Sequence, residues 1–365
     1  MTYQFKQSVA RNPRVIVTFD NKQVLMTEGK VHATSFNYAD TFDLELPLSG
    51  QPFGIDLNYW STLTTATITV YAGFVEDPTN YTIQDLIPLI TGTPDEIEVD
   101  PLHACVYVYG RDYTSKLIDT KVSIKMANQT SSQIATTFAK EHGLGQQITP
   151  TTTKVGTFYQ NGQVLLANGN NEWDVLVSLA QQENFVVFVT GNTLVFEPRG
   201  TSSQNPYILQ YQPPTGVNNS PIFNGISLRF IRSMKLSSNT WVTVKTGYSP
   251  RTGMDTSYTA KSTHKGKPSS NTQKFSYTIP GLTPEQAQQR ANQLLHDINI
   301  HEVRLEAELI PDLEMQKDTI IQVQGTNTAF DQTFYVDHIE RSFSATDMRM
   351  HVTAKNKSST NEAES

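Results

Sequence analysis

Between Met348 and Lys355 the chain alternates without a break: Met348, Met350, Val352 and Ala354 are apolar, and Arg349, His351, Thr353 and Lys355 separate them. A period of two predicts a strand with one face on a core and the other in water. The same alternation recurs in Val15, Val17 and Phe19, in Phe42, Leu44, Leu46 and Leu48 against Asp43 and Glu45, in Ile68, Val70 and Ala72 against Thr67, Thr69 and Tyr71, and from Cys105 to Tyr109. Short strands separated by turn residues predict a barrel or sandwich over residues 1–110. Within that region Glu76 to Pro101 is acidic and carries Pro78, Pro88 and Pro94, which predicts a loop or short strands. Beyond residue 200, Ser227–Phe230, Trp241–Thr246, Lys274–Thr278, Ile321 and Val323 before the turn residue Gly325, and Tyr335–Arg341 predict further strands.

Residues 111–200 change period. Ser131 to His142 predicts a helix with Ile134 and Phe138 inward and Gly143 as its terminator. Asn171 caps a second helix, with Asp174 three residues on, and Trp173, Leu176, Leu179 and Ala180 share a face. Phe185–Val189 and Thr193–Glu197 form a hairpin across Gly191-Asn192, a pair suited to positive φ. The result is a small α/β domain, with Pro198 to Pro214 as the linker out of it. A third helix starts at a capping box of Thr283 and Gln286 with Pro284 in the first helical position. Its stripe of Ala287, Ala291, Leu294, Leu295 and Ile298, opposite Gln288, Gln289, Asn292 and Gln293, needs a sheet, and is expected in the same core as the closing strand. The expected fold is mainly β with an α/β insert: β-rich domains at 1–110 and 201–357, the α/β domain at 111–200, and a disordered polar tail at 358–365.

Composition narrows the class. At 365 residues the chain exceeds one typical core. Hydrophobic content of 37% and charged content of 17% lie below globular averages, with Thr, Ser, Asn and Gln making up the difference. The longest apolar run, Phe185 to Val189, is too short to cross a bilayer, and the N-terminus has Lys6 and Arg11 without the apolar core of a signal peptide, so cytosolic synthesis and assembly are expected. The net charge of −7 argues against a dedicated nucleic-acid binder. One basic cluster, Lys261, His264, Lys265, Lys267 and Lys274, lacks interleaved aromatics and is expected to be a solvated hairpin loop.

Candidate chemistry is sparse. Neither a Gly-x-Ser-x-Gly elbow nor a P-loop nor a His-Glu-x-x-His zinc signature occurs. Gly143-Leu144-Gly145 follows a helix and reads as a stop signal. His296 and His301 stand five apart, which on a helix points them to different faces, so they are ordinary histidines and not metal ligands. Asp95, Glu96 and Glu98 lie in the Pro-bounded stretch and read as a solvated acidic face, not an acid/base pair. Cys105, the only cysteine, is set among Ala104, Val106 and Val108 as a buried inert thiol, and Trp173 and Trp241 read as core. The expectation is a non-enzyme with no catalytic, cofactor-binding or metal residues and no cofactor.

The motifs occur in a recognisable order. Ile279-Pro280-Gly281-Leu282-Thr283-Pro284-Glu285-Gln286-Ala287, then Gln322-Val323-Gln324-Gly325, then Phe334-Tyr335-Val336-Asp337-His338-Ile339 and the closing strand resemble the end of the phage late control D family. These are contractile-tail baseplate hub proteins, related to the hub portion of type VI secretion spike proteins. A second match is a turn at Tyr109-Gly110-Arg111-Asp112, then Leu117-Ile118-Asp119, a Ser/Thr-started helix ending in His142-Gly143-Leu144, Trp173 to Leu179 and Gly191-Asn192. The resemblance covers about Tyr109 to Lys355. It implies two tail-tube-like β-barrel domains per chain plus the small α/β domain, and a homotrimer whose six barrels form a pseudo-six-fold ring. Implied partners are a tail tube or tube-initiator protein, a central spike protein, other baseplate proteins, and tape-measure protein and transiting DNA in the lumen. The implied location is the virion tail baseplate, assembled in the host cytoplasm. With no hexapeptide repeat after the closing strand, the spike is expected to be a separate polypeptide. The alternative is a tail-tip peptidoglycan hydrolase or glycan-binding protein, which the absence of a catalytic constellation disfavours.

Overall fold

The closing strand β20 (Met348–Lys355) has the predicted register: Met348, Met350, Val352 and Ala354 are buried while Arg349 and His351 are exposed. The computed structural model describes residues 13–77, 79–122, 129–152, 170–183, 185–198, 206–216, 220–234, 240–248, 255–261, 273–279, 284–299, 302–344 and 347–356. The predicted capping residue Thr283, His301 and the polar tail lie outside them.

The N-terminal strand set comprises β1 (Pro13–Phe19), β2 (Lys22–Val24), β3 (Glu28–Thr34), β4 (Thr41–Pro47), β5 (Ile68–Phe74), β6 (Ile87–Asp100) and β7 (Cys105–Asp112), ordered β2-β1-β5-β6-β7-β4-β3. Its inward residues, among them Val17, Phe19, Phe42, Leu44, Leu46, Ile68, Val70 and Val108, make one core. The expected loop over Glu76–Pro101 is corrected: after a short 3-10 turn at Ile83–Asp85, β6 runs fourteen residues. Its prolines are tolerated because the ladder slips at Pro88 against β5 and at Pro94 against β7, where a missing N–H interrupts no regular pairing. Tyr109-Gly110-Arg111-Asp112 is likewise not a turn but the end of β7.

The insert contains α2 (Thr114–Asp119), α3 (Ser131–Glu141) and α4 (Glu172–Glu183) over the sheet β8-β10-β9, of β8 (Gly145–Ile148), β9 (Phe185–Thr190) and β10 (Thr193–Pro198); a short α1 (Leu57–Thr62) belongs to the N-terminal set. Leu117, Ile134, Phe138, Leu176, Leu179, Leu194 and Phe196 form its core. The α3 box uses Thr130 and Gln133, satisfying two N–H groups that the helix leaves open. Gly143, at φ +65°, ends it. In the β9–β10 hairpin Gly191 alone takes positive φ, at +53°, and Asn171 caps α4 by accepting the Asp174 N–H at 2.6 Å.

The C-terminal strand set is β11 (Tyr207–Gln212), β12 (Ile222–Phe223), β13 (Ser227–Arg232), β17 (Val303–Leu309), β18 (Ile320–Gln324), β19 (Thr333–Ser344) and β20. Part of the expected linker is thus strand β11, which pairs in parallel with β18 and buries Leu209; its Ser- and Pro-rich flanks mask a single inward residue. β19 pairs with β3 from His338 opposite Thr34 to Ser344 opposite Glu28, so both sets belong to one fourteen-stranded sheet. The fold is mainly β with an α/β insert, as expected.

The helix α5 (Pro284–Asn299) begins at its proline but does not share the core of β20. Ala287, Ala291 and Leu295 instead pack on Val242 and Val244 of β14 (Thr240–Tyr248), the centre of a separate sheet flanked by β15 (Asp255–Lys261) and β16 (Gln273–Thr278). The helix stripe had a nearer sheet to bury it, the one formed by the strands just before it in sequence. β15 and β16 sit on opposite edges of β14; the expected basic loop, with His264, Lys265 and Lys267, lies outside the described residues. No helix among the described residues is long and apolar enough to cross a membrane.

Met350 is fully buried with Leu305, Val352 and Ile339, whereas the exposed Arg349 pairs with the exposed Asp347 at 3.3 Å. Met350→Asp will abolish soluble folded protein, because an unpaired buried carboxylate costs several kcal/mol, on the order of a domain's stability. Arg349→Asp will cost under about 1 kcal/mol. Circular dichroism and sizing on both variants check the register; a folded Met350→Asp with an unfolded Arg349→Asp would reverse it.

Candidate functional site at the joint between the strand sets

The six residues 35–40, between β3 and β4, touch all three parts of the chain. Asn37 holds φ at +77°, which asparagine tolerates better than most side chains. Its N–H donates to the Val187 carbonyl at 3.0 Å, its carbonyl accepts from Trp173 Nε1 at 3.2 Å, and its Oδ1 accepts from the Val187 N–H at 3.4 Å. Phe36 meets Phe188 with ring centroids 5.2 Å apart. The insert is therefore clipped to the N-terminal set through one left-handed residue.

Asp40 closes the segment. Its Oδ1 accepts the Thr34 N–H at 2.9 Å, its carbonyl accepts the Asp112 N–H at 2.9 Å, and its Oδ2 pairs with Lys317 Nζ at 2.9 Å. Both charged side chains are only 13% exposed, and Lys317 also lies over Phe188, 5.4 Å from the ring centroid. Lys317 comes from the connection before β18, so the pair ties sequence positions 277 apart. The same connection is held by Arg341 of β19, whose guanidinium donates to the carbonyls of Met315 and, at 3.2 Å, Asp312. Burial lowers the Arg341 pKa to about 10, while Asp312 and Asp40 oppose the shift.

Asp112 lies beside this pair at the end of β7. Its Oδ1 accepts the Thr114 N–H at 3.0 Å and its Oδ2 is buried without a hydrogen-bond partner. Burial, then the neighbouring Asp40 charge, pushes its pKa up to about 7, against the Thr114 bonds and Lys317. On the solvent side of the joint a cleft of about 390 Å³ opens between Glu28, Lys30, Glu45, Tyr107, Tyr109 and Arg349.

The residues singled out in the sequence are dispersed. Asp95, on β6, accepts both Nε and Nη2 of Arg111 at 2.6 and 2.8 Å, and Arg111 reaches Asp119 of α2 at 2.9 Å. This planar two-toothed pair binds β6, β7 and α2 together. Glu96 and Glu98 are exposed on the same strand, not in a loop. A Cβ at Gly110 would collide with the Phe42 ring and the Thr93 carbonyl, which explains the glycine before Arg111. Cys105 is buried at the start of β7, Trp173 is buried against Asn37, Trp241 is half-buried on β14, and Gly143-Leu144-Gly145 links α3 to β8. His296 lies on α5, and Lys261 and Lys274 both stand opposite Trp241 in the register of the small sheet. Sequence reasoning missed Asp40, Lys317 and Arg341. One signal was legible: Arg341 occupies the apolar register between Ile339 and Phe343.

No curated protein matches the sequence. A protein-family model described as YQBQ-like matches residues 106–355. The chain belongs to the YQBQ-like family. In structure, this YQBQ-like chain is similar to the tail protein from Neisseria meningitidis MC58, at 14% identity and TM-score 0.66 over 94% of this chain and 96% of that one. It is equally similar to the 43 kDa tail protein of prophage MuSo2 from Shewanella oneidensis, at 16% identity and TM-score 0.66 over 94% and 98%. The E. coli c3393 protein, a type VI secretion component described as similar to T4 bacteriophage tail proteins gp27 and gp5, aligns at 9% identity and TM-score 0.54 over 94% and 77%. At such identities the likeness is one of fold, shared with phage tail proteins and a type VI secretion component.

Two outcomes test the joint. Lys317→Met leaves Asp40 buried without its cation and will cost about 3–5 kcal/mol in urea unfolding. Asp112, raised from 3.8 to about 7, takes up a proton on folding, so its contribution is full below the unfolded value and is lost as pH rises toward 7. Asp112→Asn keeps the Thr114 bond and will gain on the wild type in urea midpoint as pH rises from 4 toward 8; a constant difference would refute the assignment.

Proposed function

We propose that this YQBQ-like chain is a structural, non-enzymatic hub of a contractile phage tail or related injection machine. The observation that carries the reading is the agreement in fold with phage tail proteins across 94% of the chain, including both strand sets and the insert between them. In this reading residues 1–110 and 201–357 are two tube-like domains and 111–200 a small α/β domain. Three copies then present six tube-like domains, a pseudo-six-fold ring between a hexameric tube and a trimeric spike. The edge-to-edge pairing of β3 with β19 supports it, because two sets joined through one sheet keep a fixed spacing, as a ring with two positions per chain requires.

The partners in this reading are two further copies of the chain, a tube or tube-initiator protein, a central spike, neighbouring baseplate proteins, and the tape-measure protein and DNA that pass through the lumen. The location is the virion baseplate, after assembly in the host cytoplasm. Light scattering behind a sizing column tests the symmetry: the expected mass is three times the 40.8 kDa chain, with three-fold rings in negative-stain images. A monomer at all concentrations that also forms no ring with tube and spike proteins would sink the hub reading, as would clearing of peptidoglycan by the purified chain.

A further inference from the structure

On the solvent face of the β3–β19 seam, His32 and His338 stack with ring centroids 5.4 Å apart and planes at 17°. His32 Nδ1 is 3.3 Å from His338 Nε2. Two imidazoles in such a contact share one proton, one nitrogen donating and the other accepting. Charging both rings removes the acceptor and sets two positive charges a hydrogen bond apart.

The surrounding charges are of both signs. From β4, Asp43 Oδ2 lies 3.5 Å from His32 Nε2; from β19, Glu340 Oε2 lies 3.8 Å from His32 Nδ1. Lys30 of β3 competes for Glu340 at 3.8 Å, and Lys355 of β20 pairs with Asp337 beside His338. His351 of β20 stands opposite Glu340, and Glu306 and Glu308 lie one strand further on β17. Among these His338 is held below its usual value, by burial first and by His32 second, with His351 adding and Glu340 and Asp337 opposing. Asp43 and Glu340 thus face His32, and Glu340 and Asp337 act on His338.

We propose that this seam is a proton-sensitive joint: the His32–His338 pair supports the docking of the two strand sets at neutral pH and loosens it when both rings are charged. The device belongs to a single chain and stands whether or not that chain assembles as a hub. Its direction follows from linkage. A histidine lowered from 6.5 on folding contributes stability that is present above 6.5 and is lost as pH falls through the lowered folded value.

Amide hydrogen exchange of the full chain, corrected for intrinsic rates, reads the joint locally. Between pH 7.5 and 5.5, protection of β3 and β19 will fall relative to that of the insert. In His338→Gln this acid loss will disappear. In His32→Gln, which leaves His338 in place but removes the imidazole stacked on it, it will shrink, so the test does not depend on one variant folding. Contributions from Asp112, of opposite sign, are common to all three proteins and cancel in the comparison. Equal seam protection at both pH values in the wild type, or an acid loss unchanged in both variants, would overturn the proposal.

Discussion

Strand β19 has three strands to satisfy with two edges, and the rest of the chain is arranged around how it does so. Along one edge β18 pairs with Thr333–Tyr335 and β3 pairs with His338–Ser344, end to end; along the other lies β20. Between the two end-to-end partners the ladder slips at Val336 and His338, and the bulged Asp337 carbonyl is taken by the Ser35 N–H at 2.7 Å. Buried backbone groups must find partners. Here they do so only if residues far apart in sequence arrive together: the beginning of the chain at β3, and the connection before β18.

That requirement explains the dense bonding of the 35–40 segment. A bulge frees the chain to turn, and something else must then fix where it goes. Asp40, Lys317 and Arg341 supply the fixing through directional bonds with little tolerance for displacement. A buried ion pair is a poor source of net stability, since desolvation offsets much of the attraction, but losing one partner is strongly destabilising. Its effect is therefore on register: an alternative pairing of β3 with β19, slipped by one residue, would strand both Asp40 and Lys317 and also turn every side chain of β3 to the wrong face.

The strands with apolar residues at every second position were legible because one buried face is a strong constraint, and β20, β4 and β5 follow their sequence patterns. The joining strand β3 was not. Its inward side carries Gly29 where a strand of this type would carry a branched residue, because a Cβ there would lie 2.7 Å from Phe343 and 2.8 Å from Leu44. The glycine makes room for a residue of the other strand set, a reason invisible along a single segment. β6 was hidden for a different cause, its prolines being harmless only where two neighbouring ladders slip. The helix stripe of α5 was readable and its partner was not, since periodicity states that a face must be covered without saying by which sheet. At the joint, only Arg341 departed from its strand's pattern; Asp40 and Lys317 are ordinary loop residues until the fold brings them together.

The exposed charges on the seam cannot be what holds the two sets together. Lys30 and Glu340 are 3.8 Å apart and substantially exposed, and such pairs contribute about 1 kcal/mol at most. Apolar burial contributes more. Leu313, Phe343 and Met348, all from the C-terminal set, are buried in the N-terminal core, and Ala33 of β3 packs against the C-terminal one. Burying side chains of this size contributes roughly 1.5–3 kcal/mol each, so the cores interlock more strongly than the charges attract. The two layers of the joint then have different tasks. Its apolar side makes separation of the strand sets costly under all conditions, while its polar side, lined by histidines and carboxylates, is where solution conditions can alter the fit without dismantling the fold.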